Sequence, residues 1–325
     1  MHSLVDKMSK IYTYKFHSFN PSNMIINFTK NVLIKKELSS GIAIISGSIK
    51  NRGIKKELLR FHYEGIYKKS FMNQIRFYAT NRFPSILNIV GYSINKGKFD
   101  LYFDNMYIST LNSLMLSKEK TFTPTNKIII AYGIASALNH LHCHHITHFG
   151  IKPQNIFLDS SLFPYLSGFD NAELNNDSIN LRFDVFNFGL ILVFLINEYD
   201  QFLGCHNDYL LNQIERSDQY IKRCNNTHLV DLVKKCLVKE SLLQFSEILD
   251  SLELIALNDS SIDTKQFKKY QKILKNCIND DEINLKLKTK IPKTENFKND
   301  DEIDLEFGKR NQEVEVETYD IPQDF

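Results

Sequence analysis

The sequence predicts an α+β protein in which antiparallel strands come first and helices follow. Three stretches carry that prediction. Asn31–Ile49, NVLIKKELSSGIAIISGSI, reads as strand, turn, strand. Lys127–His142, KIIIAYGIASALNHLH, puts Ile129, Tyr132, Ile134, Ala135, Leu138 and Leu141 near one helical face. Asp259–Cys277 has a further amphipathic helical pattern near the other end. Strands grouped ahead of helices are the mark of this class.

Composition narrows the reading. A chain of 325 residues holds one two-lobed domain or two small ones. Its 43% hydrophobic and 24% charged content is that of a folded chain. The net charge of +2 hides an asymmetry, because Asp280–Phe325 carries 14 acidic and 7 basic residues. That leaves 33 basic against 24 acidic residues in the body. No block of Lys and Arg is dense enough to predict nucleic-acid binding. The five cysteines are scattered, with no C-x-x-C pair, and read as reduced thiols. The first residues, MHSLVDKMSKIYTYKF, lack the apolar stretch of a signal peptide. The apolar run Phe188–Ile196 is too short to span a bilayer. A soluble, cytoplasmic protein with no membrane partner is expected.

In chain order, residues 1–27 show no clear period and form a lead-in that adds at most a strand. After the hairpin, Ser70–Asn81 places Phe71, Ile75 and Tyr78 at helical spacing. Thr123-Pro124 is a helix start, with proline in the first turn. Five histidines follow at 140, 142, 144, 145 and 148. Their spacing could supply metal ligands, but the favoured reading of His140, His144 and His145 is a helix C-terminus, where the dipole favours imidazolium. Next comes His148-Phe149-Gly150-Ile151-Lys152-Pro153-Gln154-Asn155, and then Gly168-Phe169-Asp170.

That pair of motifs resembles the protein-kinase catalytic loop H-R-D-L-x-x-x-N and the later D-F-G. The helix IAYGIASALNHLHCHHITH is similar to the one that enters this loop in the tyrosine-kinase-like group. The resemblance covers roughly residues 31–255. It implies a two-lobed kinase-like domain over 28–255, with an N-lobe to 105 and a C-lobe from 106. Around it lie the lead-in, an extra helix in 256–278 and an acidic, disordered tail in 279–325. The tail repeats NDDEI at 279 and 299, which also reads as a pair of acidic-apolar partner motifs.

The resemblance also assigns roles. Ser39, Gly41 and Ile44 fall at the three glycines of the phosphate-covering loop, and only Gly41 keeps its type. V-A-I-K is read on Glu57–Arg60, with Arg60 at the lysine and Leu58 where a small alanine floors the adenine pocket. Gln74 takes the place of the ion-pairing glutamate, and Phe103 stands as gatekeeper at the back of that pocket. Gly150 replaces the catalytic aspartate and Phe149 the neighbouring arginine. Gly168 replaces the metal-binding aspartate. The candidate nucleotide contacts are therefore Gly41, Arg60, Phe103, Lys152 and Asn155, and the candidate metal ligands are Asn155 and Asp170. A packing spine is implied at Tyr78, Ile89, His148 and Phe169, with Asp184 supporting the catalytic loop.

Fifteen positions separate Phe169 from Asp184, which leaves no A-P-E element. Leu242-Leu243 stand where the family's Arg-Pro is expected, so the arginine that pairs with that glutamate is absent as well. These losses imply a pseudokinase: a binding or scaffolding module with little or no phosphotransfer, no required cofactor and at most weak Mg²⁺–ATP binding. Protein partners are implied, an active kinase among them. The alternative is an atypical active Ser/Thr kinase that uses ATP with Lys152, Asn155 and Asp170.

Overall fold

The computed structural model describes residues 24–26, 32–39, 41–48, 55–64, 68–95, 97–104, 107–117, 121–174, 178–197, 224–238 and 243–275. The acidic repeats and most of the lead-in lie outside these residues.

The first lobe is a five-stranded antiparallel sheet. Its strands are β1 (Leu33–Ser39), β2 (Ile42–Ser48), β3 (Lys55–Glu64), β4 (Ile89–Asn95) and β5 (Lys98–Asp104), in the order β1-β2-β3-β5-β4. The hairpin read at Asn31–Ile49 is β1–β2. Helix α1 (Lys68–Thr80) lies on one face of the sheet. Its Phe71 ring packs 5.0 Å from Phe99 and edge-on to Tyr92. Ile75 and Tyr78 are buried on the same stripe. The opposite face has its own small cluster of Ile26, Ala43, Ile45, Leu58 and Tyr102. The lead-in supplies Ile26 to it: residue 25 bridges Tyr92 in parallel, and Ile26 N–H donates to the Tyr92 carbonyl at 2.7 Å.

The second lobe is built on two helices of 20 residues, α3 (Pro124–Cys143) and α4 (Ser178–Asn197). Helix α3 starts as the sequence predicts. Thr123 caps it, accepting the Asn126 N–H at 3.1 Å, while the Asn126 side chain accepts the Thr123 N–H. Around these helices lie β6 (Tyr107–Thr110), α2 (Leu111–Ser117), β7 (Ile146–Thr147), β8 (Ile156–Asp159), β9 (Pro164–Leu166) and β10 (Glu173–Leu174). Helices α5 (Thr227–Leu237) and α6 (Phe245–Asn258) follow. A further helix, α7, spans 264–275, inside the stretch expected to hold an extra helix. Helix α6 runs on to Asn258, three residues past the expected end of the C-lobe.

The lobes are tied through the chain between α1 and β4. Leu166 N–H donates to the Ser85 carbonyl at 2.8 Å, and Leu87 N–H donates to the Leu166 carbonyl at 3.0 Å. The Ser85 and Tyr270 hydroxyls bond at 2.8 Å, which docks α7 against the same junction. Among the described residues, no helix is long and apolar enough to cross a membrane.

Candidate functional site

The loop after α3 is organised by a buried carboxylate. Asp184, on α4 and 0% exposed, accepts the backbone N–H of His148 at 2.8 Å and of Phe149 at 3.0 Å. Its Oδ2 also accepts from His142 Nε2 at 2.9 Å. The loop therefore takes its shape from α4. Phe149 sits at a left-handed φ of +54°, and its ring packs 5.8 Å from the exposed Phe183.

His148 is fully buried and has one tautomer. Its Nδ1 accepts the Gly150 N–H at 3.1 Å, so Nε2 carries the proton and donates to the Ser167 carbonyl at 3.0 Å. Burial pushes this imidazole below its ordinary range, against the opposing pull of Asp184. Below the free value of 6.5, the unfolded chain binds a proton that the folded one refuses, so stability falls with acid there. Denaturant midpoints measured from pH 7.5 down to pH 5 should drop, and a His148→Gln variant should lose part of that slope.

The next contacts decide the site's chemistry. Asn155 Nδ2 donates to the Gly150 carbonyl at 2.7 Å, which folds its amide across the loop. Gly168 adopts φ +81°, and a Cβ placed there would stand 2.2 Å from Asn155 Nδ2. A side chain at 168 would therefore require the Asn155 amide to shift from this position. Gly168 N–H donates to the Tyr78 hydroxyl at 3.0 Å, reaching across to α1. At Gly150, a Cβ would lie 3.0 Å from the Gly168 carbonyl and 3.3 Å from the His148 ring, a tight fit. Lys152 and Asp170 are both exposed. Among the described residues, no three His, Cys, Asp or Glu side chains gather as a metal cluster. In the histidine run, His140 stacks 4.9 Å from Phe83 and lies tilted 4.5 Å from His144, and His142 turns to Asp184.

Phe169, 1% exposed, packs edge-on to Tyr78 at 4.7 Å and against His148 at 4.8 Å. Tyr78 reaches Phe103 at 4.8 Å, and Ile89, itself buried, lies opposite Phe103 in the sheet. Tyr78, Ile89 and Phe169 thus belong to one apolar cluster, and His148 joins the spine through its contact with Phe169.

The sheet side departs from the assigned register. Gln74, 1% exposed, is met by Tyr63, whose hydroxyl donates to Oε1 at 3.2 Å. Burial, with Tyr78 and Asp170 nearby, pushes the Tyr63 phenol well above its ordinary range and keeps it a donor. Arg60 belongs to the other face of β3, where its Nε lies 3.9 Å from Asp100. Successive strand residues point to opposite faces, so Arg60 and Tyr63, three apart, cannot share one. Tyr63 and Phe61 are the site residues missed from sequence. The signal for them was the alternation of Leu59, Phe61 and Tyr63 on the face that turns to α1. Gly41, the retained glycine of the first turn, serves the sheet. Its carbonyl accepts the His62 N–H at 2.7 Å, and a Cβ there would meet the His62 carbonyl oxygen at 2.8 Å.

From the short helical turn Phe169–Asn171, only residues 172–177 lead to α4. Within them, β10 pairs with β7, Glu173 opposite Thr147.

A model of the protein kinase domain matches residues 49–182, from the sheet through the loop to the start of α4. The chain carries a protein-kinase-like domain. It is 29% identical over 117 residues to a PR5-like receptor kinase of Arabidopsis thaliana, covering 34% of this chain and 18% of that protein. It is 37% identical over 82 residues to the LRR receptor-like serine/threonine-protein kinase EFR of the same plant, covering 24% of this chain and 8% of that one. A protein of Acanthamoeba polyphaga mimivirus, provisionally named a serine/threonine-protein kinase/receptor, is 22% identical over 259 residues, or 71% of this chain and 16% of its own. The chain thus spans under a fifth of the length of these relatives. The antiparallel sheet with α1 and the helical bundle behind it are the two lobes of this kinase-like fold.

Proposed function

We propose that this kinase-like domain is a pseudokinase of the tyrosine-kinase-like group, acting in the cytoplasm as a binding or scaffolding module. The observation that carries the reading is the Asn155 amide lying against Gly168. Where a working kinase holds a metal-binding carboxylate, this chain has a left-handed glycine whose side-chain space is taken. The reading has further support. Gly150 offers no base. Tyr63 and Gln74 make a neutral hydrogen bond where phosphate positioning needs a cation and its counter-charge. Kinase catalysis is mostly positioning and electrostatic stabilisation. Each absent charged contact is worth about 2–4 kcal/mol in the transition state, so two of them cost roughly a thousand-fold or more. Residues 28–255 form the module, and its partners are proteins, an active kinase among them.

The test is transfer of labelled phosphate from Mg²⁺–ATP by purified protein, to itself and to a general substrate. No transfer is expected from the wild type, nor from a Gly150→Asp/Gly168→Asp double variant. In that variant the new carboxylate at 168 displaces Asn155, and stability should fall by about 1–3 kcal/mol through the left-handed backbone and the lost amide bond. Transfer by the wild type that Lys152→Ala and Asn155→Ala both abolish would establish the atypical enzyme instead.

A further inference from the structure

The Tyr63–Gln74 pairing moves more than one residue. In V-A-I-K the alanine stands two places before the lysine. With Tyr63 opposite Gln74, the residue at the alanine place is Phe61, a large ring where a methyl group is expected. Its ring points into the interior: Phe61 is 6% exposed and lies 4.9 Å from the Phe103 ring at the gatekeeper position. On its other side it meets Phe157 of β8 at 5.5 Å, with 33° between the planes. Phe103 and Phe157 are both 0% exposed. Three rings thus run from the sheet to the helical lobe where a flat heterocycle would otherwise lie. Phe61 is also fixed by its backbone. It pairs with Ile42 on one side and Leu101 on the other, in the interior of the sheet.

We propose that Phe61 is a built-in occupant of the slot between the lobes: its ring takes the place of a purine, excludes it, and joins β3 to β8 without a ligand. The proposal deepens the non-catalytic reading and rests on it. The energetic logic is that of an interior packed to crystal density, where no second ring enters unless the first leaves. Closure of the lobes then follows from folding rather than from nucleotide supply. Removal of the ring leaves an apolar cavity walled by Phe103 and Phe157, and such cavities accept flat aromatic molecules.

Thermal unfolding with adenosine and with Mg²⁺–ATP at millimolar concentration tests this. The wild-type midpoint should not move with either. Phe61→Ala should lower the midpoint by on the order of 10 °C, and millimolar adenosine should then restore roughly 3 °C of it. A rise in the wild type with adenosine overturns the proposal. So does a folded Phe61→Ala protein that ignores adenosine. Should Phe61→Ala not fold, Phe61→Val is read in the same way. Adenosine binding by the wild type without phosphate transfer sinks this proposal alone; phosphate transfer by the wild type sinks the non-catalytic reading with it.

Discussion

Asp184→Ala should destabilise the domain by roughly 2–5 kcal/mol, the largest effect expected of any single polar residue. The carboxylate is 0% exposed and receives three N–H groups: two from the His148–Phe149 backbone and one from His142. Alanine leaves those donors facing a small apolar cavity. A buried donor without an acceptor costs about 1–3 kcal/mol, and the backbone pair cannot turn away because Phe149 is held in its left-handed conformation. Urea unfolding of Asp184→Ala beside Asp184→Asn separates hydrogen bonding from charge, since Asn retains one acceptor oxygen. An unchanged midpoint for Asp184→Ala would mean that the loop is held by something other than α4.

Phe169→Ala should cost about 3–5 kcal/mol, at the upper end for a large-to-small change in a core. Three aromatic neighbours meet this ring: Tyr78, His148 and Phe77, the last stacked at 6.1 Å. They come from α1 and from the catalytic-type loop, so the ring couples the two lobes. The space it vacates cannot collapse easily, because Tyr78 is tethered to Gly168 and His148 to Ser167. Phe169→Leu should recover a good part of the loss, since it keeps apolar volume without the ring. Equal denaturant midpoints for Phe169→Ala and the wild type would show that the cluster does not tie the lobes.

The parts of this fold that were legible in the sequence are those written locally. The start of α3 is set by Thr123, Pro124 and Asn126, all within one turn. The loop His148–Asn155 and the glycines at 150 and 168 were read from the resemblance of two short local motifs to those of protein kinases. The register of β3 was misassigned although Leu59, Phe61 and Tyr63 alternate with Arg60, His62 and Glu64. Leu58 adds an apolar residue to the polar face and joins the outer cluster, while Leu59 and Phe61 join the main core, which blurs the pattern at the start of the strand. Arg60 is the cation that follows two leucines in the manner of V-A-I-K, yet the partner that fixes the register, Gln74, sits on another element. The crowding of Gly168 by the Asn155 amide was equally invisible, since it depends on a left-handed φ and on where an amide folds. Helix α4 starts at Ser178, six residues before the Asp184 that marked it in sequence, because the connecting segment is so short.

The contacts described between the lobes share one property: none carries a net charge. Tyr78 meets the Gly168 amide, Ser85 meets Tyr270, and Phe61 meets Phe157. An ion pair at any of these places would weaken as dissolved ions screened it over a Debye length of about 10 Å at 0.1 M. Neutral hydrogen bonds and stacked rings feel no such screening. The opening of one lobe from the other, followed by amide hydrogen exchange along α1, should therefore proceed at the same rate in dilute buffer and in half-molar sodium chloride. It should answer to temperature instead, because burial of apolar surface is the force that weakens on cooling.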